Sequence, residues 1–207
     1  MAWELNSPAW SSASAAGRLP IALFLTMIAS LVLGMGVPTT AAYVMVAALA
    51  VPALVEMGVH RLAAHLFAFY FACISTITPP VATSAYAAAG IAKSDPIETG
   101  FLAAKLGATA FIVPYMFVYG PELLLVGEPM AVLRVVITSL IGVVALAAGL
   151  QGWLLRKCNV FERLMLIASA LMLIEHSTIT DVIGLAVLVL VTLNQRQSLL
   201  SKEAKSQ

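Results

Sequence analysis

Apolar stretches alternate with short polar breaks along most of the chain. The apolar stretch 19–33 is followed by the break GMGVPTT at 34–40, and a second apolar stretch covers 41–57. A helix needs about 20 apolar residues to cross a bilayer core, so each of these two arms is short for a span. The pattern predicts a re-entrant helical hairpin, and one broken, tilted span is the alternative.

A second interruption, TITPPVATS at 76–84, follows the apolar stretch 62–77. Pro79 and Pro80 have no amide hydrogen, and Pro80 also disfavours a helical conformation at Pro79. The sequence therefore predicts a discontinuous transmembrane helix, which resumes with AYAAAGIA at 85–92.

The next helix start has a clear signature at Asp95, Pro96 and Glu98: a capping residue, an N1 proline and an acidic first turn. We expect this helix to span the membrane over 97–119, with a kink at Pro114.

Three further apolar segments complete the pattern, and the last two form a predicted helical hairpin. The polar tail after Asn194 is expected to be solvated. The three segments cover 130–155, 161–174 and 182–193.

Composition agrees with this pattern, since 61% of the 207 residues are hydrophobic, 10% are charged and the mean hydropathy is +1.00. These values are typical of an integral membrane protein and predict an all-α fold. A net charge of +1 provides no basic surface for nucleic acid.

The basic residues predict an orientation. With a re-entrant first hairpin, Arg18 and Arg61 share one face, and seven basic residues lie on the other, which is expected to be cytoplasmic together with the C-terminus. A full crossing by the first segment would move Arg18 to the basic face, so charge leaves that variant open. The seven are Lys93, Arg156, Lys157, Arg163, Arg196, Lys202 and Lys205.

Both breaks carry groups suited to binding. In the first, Gly34 and Gly36 allow close backbone approach, Pro38 can begin the second arm, and Thr39 and Thr40 offer hydroxyls beside free N–H groups, which suits a carboxylate or a sodium ion. The alternative is a turn that only packs against a neighbour.

In the second break, hydroxyls surround Pro79 and Pro80, and the prolines free backbone carbonyls. Oxygen ligands without a fixed charge suit a transiently bound monovalent cation, and a structural proline kink is the alternative. The hydroxyl residues are Thr76, Thr78, Thr83 and Ser84.

Other polar residues predict no chemistry. We expect Cys73 and Cys158 to pack as apolar residues, His60 and His65 to lie at the membrane interface, and the turn containing Glu175, His176 and Asp181 to be solvated. The sequence lacks a nucleophile elbow, a Walker loop and an H-E-x-x-H helix, so we predict no enzyme, no cofactor and no ATP coupling. Energy would come from an ion gradient.

Three strings together resemble the large membrane subunit of tripartite ATP-independent periplasmic (TRAP) transporters, especially its form fused to the small subunit. They are GMGVPTTAAYV at 34–44, AAHLFAFYFACISTITPPVATSAYAAAGIA at 63–92 and FIVPYMFVYGPELLL at 111–125. The resemblance implies half of an inverted-repeat, elevator-type symporter, coupled to Na+, that receives a small organic acid from a periplasmic binding protein.

The resemblance also assigns the site. One wall of the ion and substrate site would come from the first break and the other from the Thr-Pro-Pro break. The first wall would comprise Gly34, Gly36, Pro38, Thr39 and Thr40. Gly34, Gly36 and Thr78 would be the candidate Na+ ligands. The second wall would comprise Thr78, Pro79 and Pro80, and Thr76 of the same break is also a predicted site residue.

The family has an earlier, inverted repeat and a small membrane subunit, so we expect this chain to be a C-terminal portion of a permease in a bacterial or archaeal inner membrane. Its expected partners are that upstream repeat, the small subunit, the binding protein and the lipid bilayer. A non-transporting scaffold or assembly role is the alternative. The predicted regions are a polar lead-in at 1–18, a second-repeat transport region at 19–128, a transmembrane extension at 129–194 and a polar cytoplasmic tail at 195–207.

Overall fold

A computed structural model of the protein describes residues 9–174 and 178–203, with side chains described for 18–174 and 179–198. Nine α-helices occupy most of these residues, and within them the only extended pairing is an isolated bridge between Trp153 and Lys157. The predicted all-α class is confirmed. The chain divides into two compact units, Met1–Gly107 and Ala108–Gln207, here called unit 1 and unit 2.

The described part of unit 1 contains five helices. Helix α1 packs against α2 and α3, α2 packs against α3, and α4 packs against α5. The predicted interruption at 76–84 is present, since α3 ends in a short 3-10 turn, Ser75–Ile77, well before α4 begins. The helices are α1 (Ala9–Leu33), α2 (Thr39–Glu56), α3 (Arg61–Ile74), α4 (Thr83–Ala92) and α5 (Pro96–Leu106).

Helix α3 forms the centre of unit 1 because its small and aromatic residues recur at helical spacing. Phe67 and Phe71 are fully buried, with ring centroids 4.9 Å apart. Alanines beside them let α1 and α2 approach closely, which is how membrane helices gain packing without a hydrophobic driving force. The buried alanines are Ala63, Ala64, Ala68 and Ala72.

In unit 2, the residues that the structure describes form four helices, of which α8 packs against both α7 and α9. Small residues mark the contacts: a Cβ atom on Gly149 would lie 2.8 Å from Ile167 Cγ1, and one on Gly184 would lie 2.9 Å from Leu173 Cγ. Larger side chains at these glycines would push the helices apart. The helices are α6 (Val113–Tyr119), α7 (Pro129–Gln151), α8 (Val160–Ile174) and α9 (Thr178–Glu203).

Four helical segments of the described chain are long and apolar enough to cross a membrane, so the protein is a multi-pass membrane protein. Two shorter apolar helices, Arg18–Leu33 and Arg61–Ile77, lie in unit 1, and the re-entrant path of the first hairpin stays a prediction. The four candidate spans are Thr39–Glu56, Pro96–Tyr119, Pro129–Gln151 and Ile179–Ser198.

The cap at Asp95 is confirmed, because its Oδ1 accepts a 2.9 Å hydrogen bond from Glu98 N–H. The predicted kink at Pro114 is misplaced. Helix α5 ends at Leu106, a 3-10 turn covers Gly107–Phe111, and Pro114 lies in the first turn of α6. A proline has no N–H to donate within a helix but fits its first turn, so the interruption comes before it.

Two predictions near the C-terminal helices are also corrected. Helix α7 ends at Gln151 rather than at 155, because Gly152 takes a left-handed conformation with φ +73°. Helix α9 continues to Glu203, and Gln195, predicted to begin a solvated tail, is fully buried.

Candidate functional site

The two interruptions of unit 1, here called the first break (34–38) and the second break (75–82), contact each other. Gly34 is buried, and a Cβ atom there would lie 2.8 Å from Ser75 Cβ. A Cβ atom on Gly36 would lie 3.7 Å from Val81 Cγ1. The glycines predicted to allow close approach therefore bring the backbone of one break onto the side chains of the other.

The first break is a tight turn with an uncapped helix start. Gly34 N–H donates to Ser30 O at 2.9 Å, and Gly36 has φ +79°. Pro38 precedes α2 and has no side chain that could cap it. The first N–H groups of α2, at Thr39 and Thr40, therefore face away from the helix and carry the positive end of its dipole.

The second break replaces helical hydrogen bonds with turns. Thr78 N–H donates to Ser75 O at 3.2 Å, and Ala82 N–H donates to Thr78 O at 3.2 Å. The peptide between Pro79 and Pro80 is cis. Because Pro80 has no N–H, the carbonyl of Thr76 lacks the donor that a continuous helix would supply.

Three hydroxyls of the second break bond back to α3. Ser75 Oγ donates to Ala72 O at 2.7 Å, Thr76 Oγ1 to Cys73 O at 2.9 Å and Thr78 Oγ1 to Ile74 O at 2.8 Å. Since each hydroxyl uses its hydrogen in this way, its oxygen presents lone pairs to its other neighbours. Such oxygens can accept hydrogen bonds or coordinate a cation.

Residues of helices α4 and α5 pack against the second break. Tyr86 Oη donates to Pro80 O at 2.6 Å, and a Cβ atom on Gly100 would lie 3.1 Å from the Tyr86 ring. An open groove of about 420 Å³ lies beside the prolines, lined also by Tyr86, Ile97 and Phe101. Its apolar lining suits a hydrophobic neighbour rather than a charged substrate.

The structure brings together part of the predicted set. Gly34 and Gly36 contact the second break, whereas Thr39 is half-buried and Thr40 exposed at the start of α2. Their partners, Ser75 and Val81, are absent from the predicted set. Ser75 lies inside an apolar run, and its one sequence signal is a small hydroxyl residue directly before Thr-x-Thr-Pro-Pro.

Of the two histidines expected at the interface, His60 is exposed at the N-cap of α3. His65 is half-buried, with its Nδ1 3.0 Å from Tyr43 Oη. Tyr43 lies one turn after the start of α2, so this hydrogen bond connects the helix that follows the first break to α3.

Unit 2 holds a polar cluster at the α7–α8 loop, in which Glu162 and Gln195 are buried. Its other members are Arg156, Cys158 and Asn159. Glu162 accepts hydrogen bonds from Arg156 Nη2 (2.6 Å), Asn159 N–H (2.9 Å) and Gln195 Nε2 (3.1 Å). Burial raises the pKa of Glu162, but these bonds and the Arg156 charge outweigh it, so the pKa lies below its usual value.

The acidic turn differs from its prediction. Glu175 and His176 lie outside the described residues. Asp181, expected to be solvated, is buried in the first turn of α9, with its Oδ2 3.9 Å from Arg134 Nε. Burial here comes from packing between helices, which the polar sequence of the turn does not reveal.

Comparison with family models accounts for most of the chain. The model described as Tripartite ATP-independent periplasmic transporter, DctM component, matches residues 9–132, which include both breaks. A domain of unknown function, DUF3394, matches residues 132–185. Comparisons with curated proteins and with solved structures find no match. Since the first match covers more than half of the 207 residues, the chain belongs to the DctM component family of tripartite ATP-independent periplasmic transporters.

Proposed function

We propose that unit 1 forms half of the transport site of a sodium-coupled TRAP permease that imports a small organic acid. The observation that carries the proposal is the contact between the two breaks, Gly34 on Ser75 and Gly36 on Val81. Interrupted helices that meet inside a membrane protein are where transporters bind substrate and coupling ions.

The anionic group of the substrate would bind at the start of α2, directly after the first break. Pro38 leaves the start of α2 without a side-chain cap, and the N–H groups and hydroxyls of Thr39 and Thr40 are the donors available there. A helix N-terminus favours negative charge because of its free N–H groups and its dipole. A carboxylate is the matching group on the substrate.

Sodium, as the co-transported ion, would bind between the breaks. The Thr76 carbonyl lacks a helical donor, and Thr78 Oγ1 donates its hydrogen to Ile74 O, so both oxygens have lone pairs to offer. Gly34 and Gly36 place first-break backbone beside Ser75 and Val81, which lie on either side of Thr76 and Thr78 in the chain. Neutral oxygen ligands favour weak, reversible binding, which a transport cycle requires.

The transport step would combine closure of the first break with rigid-body movement of the unit. Gly36 has a left-handed φ that glycine adopts without strain, so the turn can adjust when acid and sodium are bound. In this proposal a periplasmic binding protein delivers the acid, and the inverted repeat and small subunit complete the permease. The face with seven basic residues would be cytoplasmic, in the inner membrane.

The test is uptake of labelled organic acids into proteoliposomes that hold this chain with the inverted repeat, the small subunit and the binding protein. Uptake driven by an inward sodium gradient, and not by a potassium gradient of equal size, is the expected result. Correctly inserted protein that takes up no acid would contradict transport and favour the scaffold role.

A further inference from the structure

We propose that unit 2 binds one anionic phospholipid of the bilayer, with an acyl chain in a groove between α7 and α9 and the phosphate at Arg196 and Lys157. This inference concerns the DUF3394 region and helix α9, which begins within that region and continues past its end, and it is independent of the transport site in unit 1.

The groove is apolar and open. It has a volume of about 320 Å³ and lies between Val144 on α7, Leu188 and Thr192 on α9, and Leu154 in the loop after α7. Thr192 Oγ1 donates to Leu188 O at 2.7 Å, so its hydroxyl is satisfied within α9. The lining extends from Leu140, and the distance from there to the end of α7 at Gln151 is about 16 Å along the helix.

Positive charge lies at the loop end of the groove. Leu188, Thr192 and Arg196 follow each other at i, i+4 spacing, so they share one stripe of α9 and Arg196 extends it one turn beyond the groove. Lys157 follows Leu154 in the loop, and both cations are exposed. Trp153, 60% exposed beside Leu154, is the residue type that lies at headgroup level.

The other charged side chains that the structure describes near this end already have partners within unit 2. Arg156 forms a 2.6 Å ion pair with buried Glu162. Arg163 caps α7, with Nε donating to Gly149 O and Nη2 to Leu150 O, each at 3.0 Å. In the described part of the chain, no ion pair involves Lys157 or Arg196. These two cations are therefore available to an external anion.

An anionic phospholipid matches both features at once. An apolar groove that ends at uncompensated cations offers one surface to an acyl chain and another to a phosphate. A free phosphate would leave the groove unused, and an uncharged lipid would leave the cations unused. The charge complementarity at the groove's end therefore selects an anionic lipid.

The test uses the full chain with Trp3 and Trp10 changed to Phe, so that Trp153 alone reports. The protein is placed in nanodiscs of phosphatidylcholine that contain increasing fractions of either brominated phosphatidylglycerol or brominated phosphatidylcholine. Bromine quenches the fluorescence of a nearby tryptophan, so the quenching of Trp153 by each lipid measures their relative affinity. We expect phosphatidylglycerol to be preferred. Arg196→Gln should lower that preference about fivefold, the factor that one basic residue near an anionic surface contributes.

Matched variants separate a lipid bound in the groove from a general attraction of anionic lipid to basic residues. Arg196→Lys should retain the preference, and Lys93→Gln, which removes an exposed charge from unit 1, should leave it unchanged. Val144→Phe, which adds bulk to the groove, should reduce quenching by both lipids. Three outcomes would overturn the proposal. They are equal quenching by both lipids when the groove is unmodified, equal effects of Arg196→Gln and Lys93→Gln, and loss of the phosphatidylglycerol preference in millimolar inorganic phosphate.

Discussion

Gly34 lies so close to Ser75 that a Cβ atom at position 34 would be 2.8 Å from the Ser75 Cβ atom and 2.9 Å from the Ser30 carbonyl oxygen. Side-chain carbons do not approach this closely without displacement of one partner. The contact joins the turn after α1 to the break after α3, and glycine is what permits it. The first prediction tests this relationship directly.

Gly34→Ala should destabilise unit 1 by about 2 kcal/mol, as overpacking does at a buried contact. Gly90→Ala is the matched control, because Gly90 lies in α4 with open space around its missing Cβ, and helical alanine is favoured over glycine by about 1 kcal/mol. Thermal unfolding in detergent should show opposite shifts in Tm for the two variants.

A second change can confirm the cause. Ser75→Gly added to Gly34→Ala should restore part of the lost stability, because it removes the side chain that the new Cβ meets. Strictly additive losses in the double variant would show that Gly34 and Ser75 do not interact as described.

Thr78→Val should lower the affinity of the complete permease for sodium. The substitution keeps the side-chain shape but removes the hydroxyl that donates to Ile74 O at 2.8 Å and offers lone pairs to a cation. We expect the sodium concentration for half-maximal uptake to rise about tenfold, the equivalent of one charge-assisted contact.

Thr99→Val is the control for Thr78→Val, because the Thr99 hydroxyl donates to Asp95 O at 2.7 Å at an exposed helix start. Its sodium dependence should match that of the unmodified permease. An unchanged sodium requirement in Thr78→Val, with normal membrane insertion, would remove Thr78 from the proposed site.

Gln195→Leu should destabilise unit 2 by about 3 kcal/mol. The Gln195 side chain is fully buried; its Oε1 accepts from Leu155 N–H at 3.2 Å, and its Nε2 donates to Glu162 at 3.1 Å. Leucine would leave these buried groups without a partner. Gln197→Leu, two residues later and exposed, should change Tm little. Equal effects of both variants would contradict the burial of Gln195.

The pKa of Glu162 predicts loss of stability in acid. Its folded-state pKa lies below the ordinary glutamate value, so ionised Glu162 stabilises the folded state above the unfolded pKa. This contribution disappears as pH falls from about 5 through the folded pKa. Glu162→Gln should lower Tm at neutral pH and flatten its dependence between about pH 3 and 6. An unchanged acid slope would assign the loss to other carboxylates.

Arg134→Gln should cost more stability than Asp181→Asn. Asp181 is 5% exposed, its carboxylate oxygens accept no hydrogen bond in the described structure, and Arg134 Nε is 3.9 Å away. Removing the arginine leaves a buried carboxylate uncompensated, at a cost of about 2 kcal/mol, whereas Asp181→Asn removes the charge itself. The measurement is the Tm of each variant in detergent. A lower Tm for Asp181→Asn than for Arg134→Gln would contradict the prediction.

Local chemistry made several features predictable. Pro79 and Pro80 cannot donate helical hydrogen bonds, so the interruption between α3 and α4 follows from these two prolines alone. Asp95 caps its helix through a contact three residues away, which depends only on neighbours in sequence. The kink predicted at Pro114 is wrong because the same residue type either bends a helix or begins one, and surrounding packing determines which.

The sequence by itself determined that the chain is an α-helical membrane protein, where its helices are interrupted and which family it resembles, because hydropathy and backbone hydrogen bonding act over a few residues. Only the tertiary structure decided that Ser75 faces Gly34, that Gln195 is buried against Glu162 and that Asp181 lies inside unit 2. These contacts join residues far apart in the chain, and burial of a polar side chain depends on which distant helix packs over it.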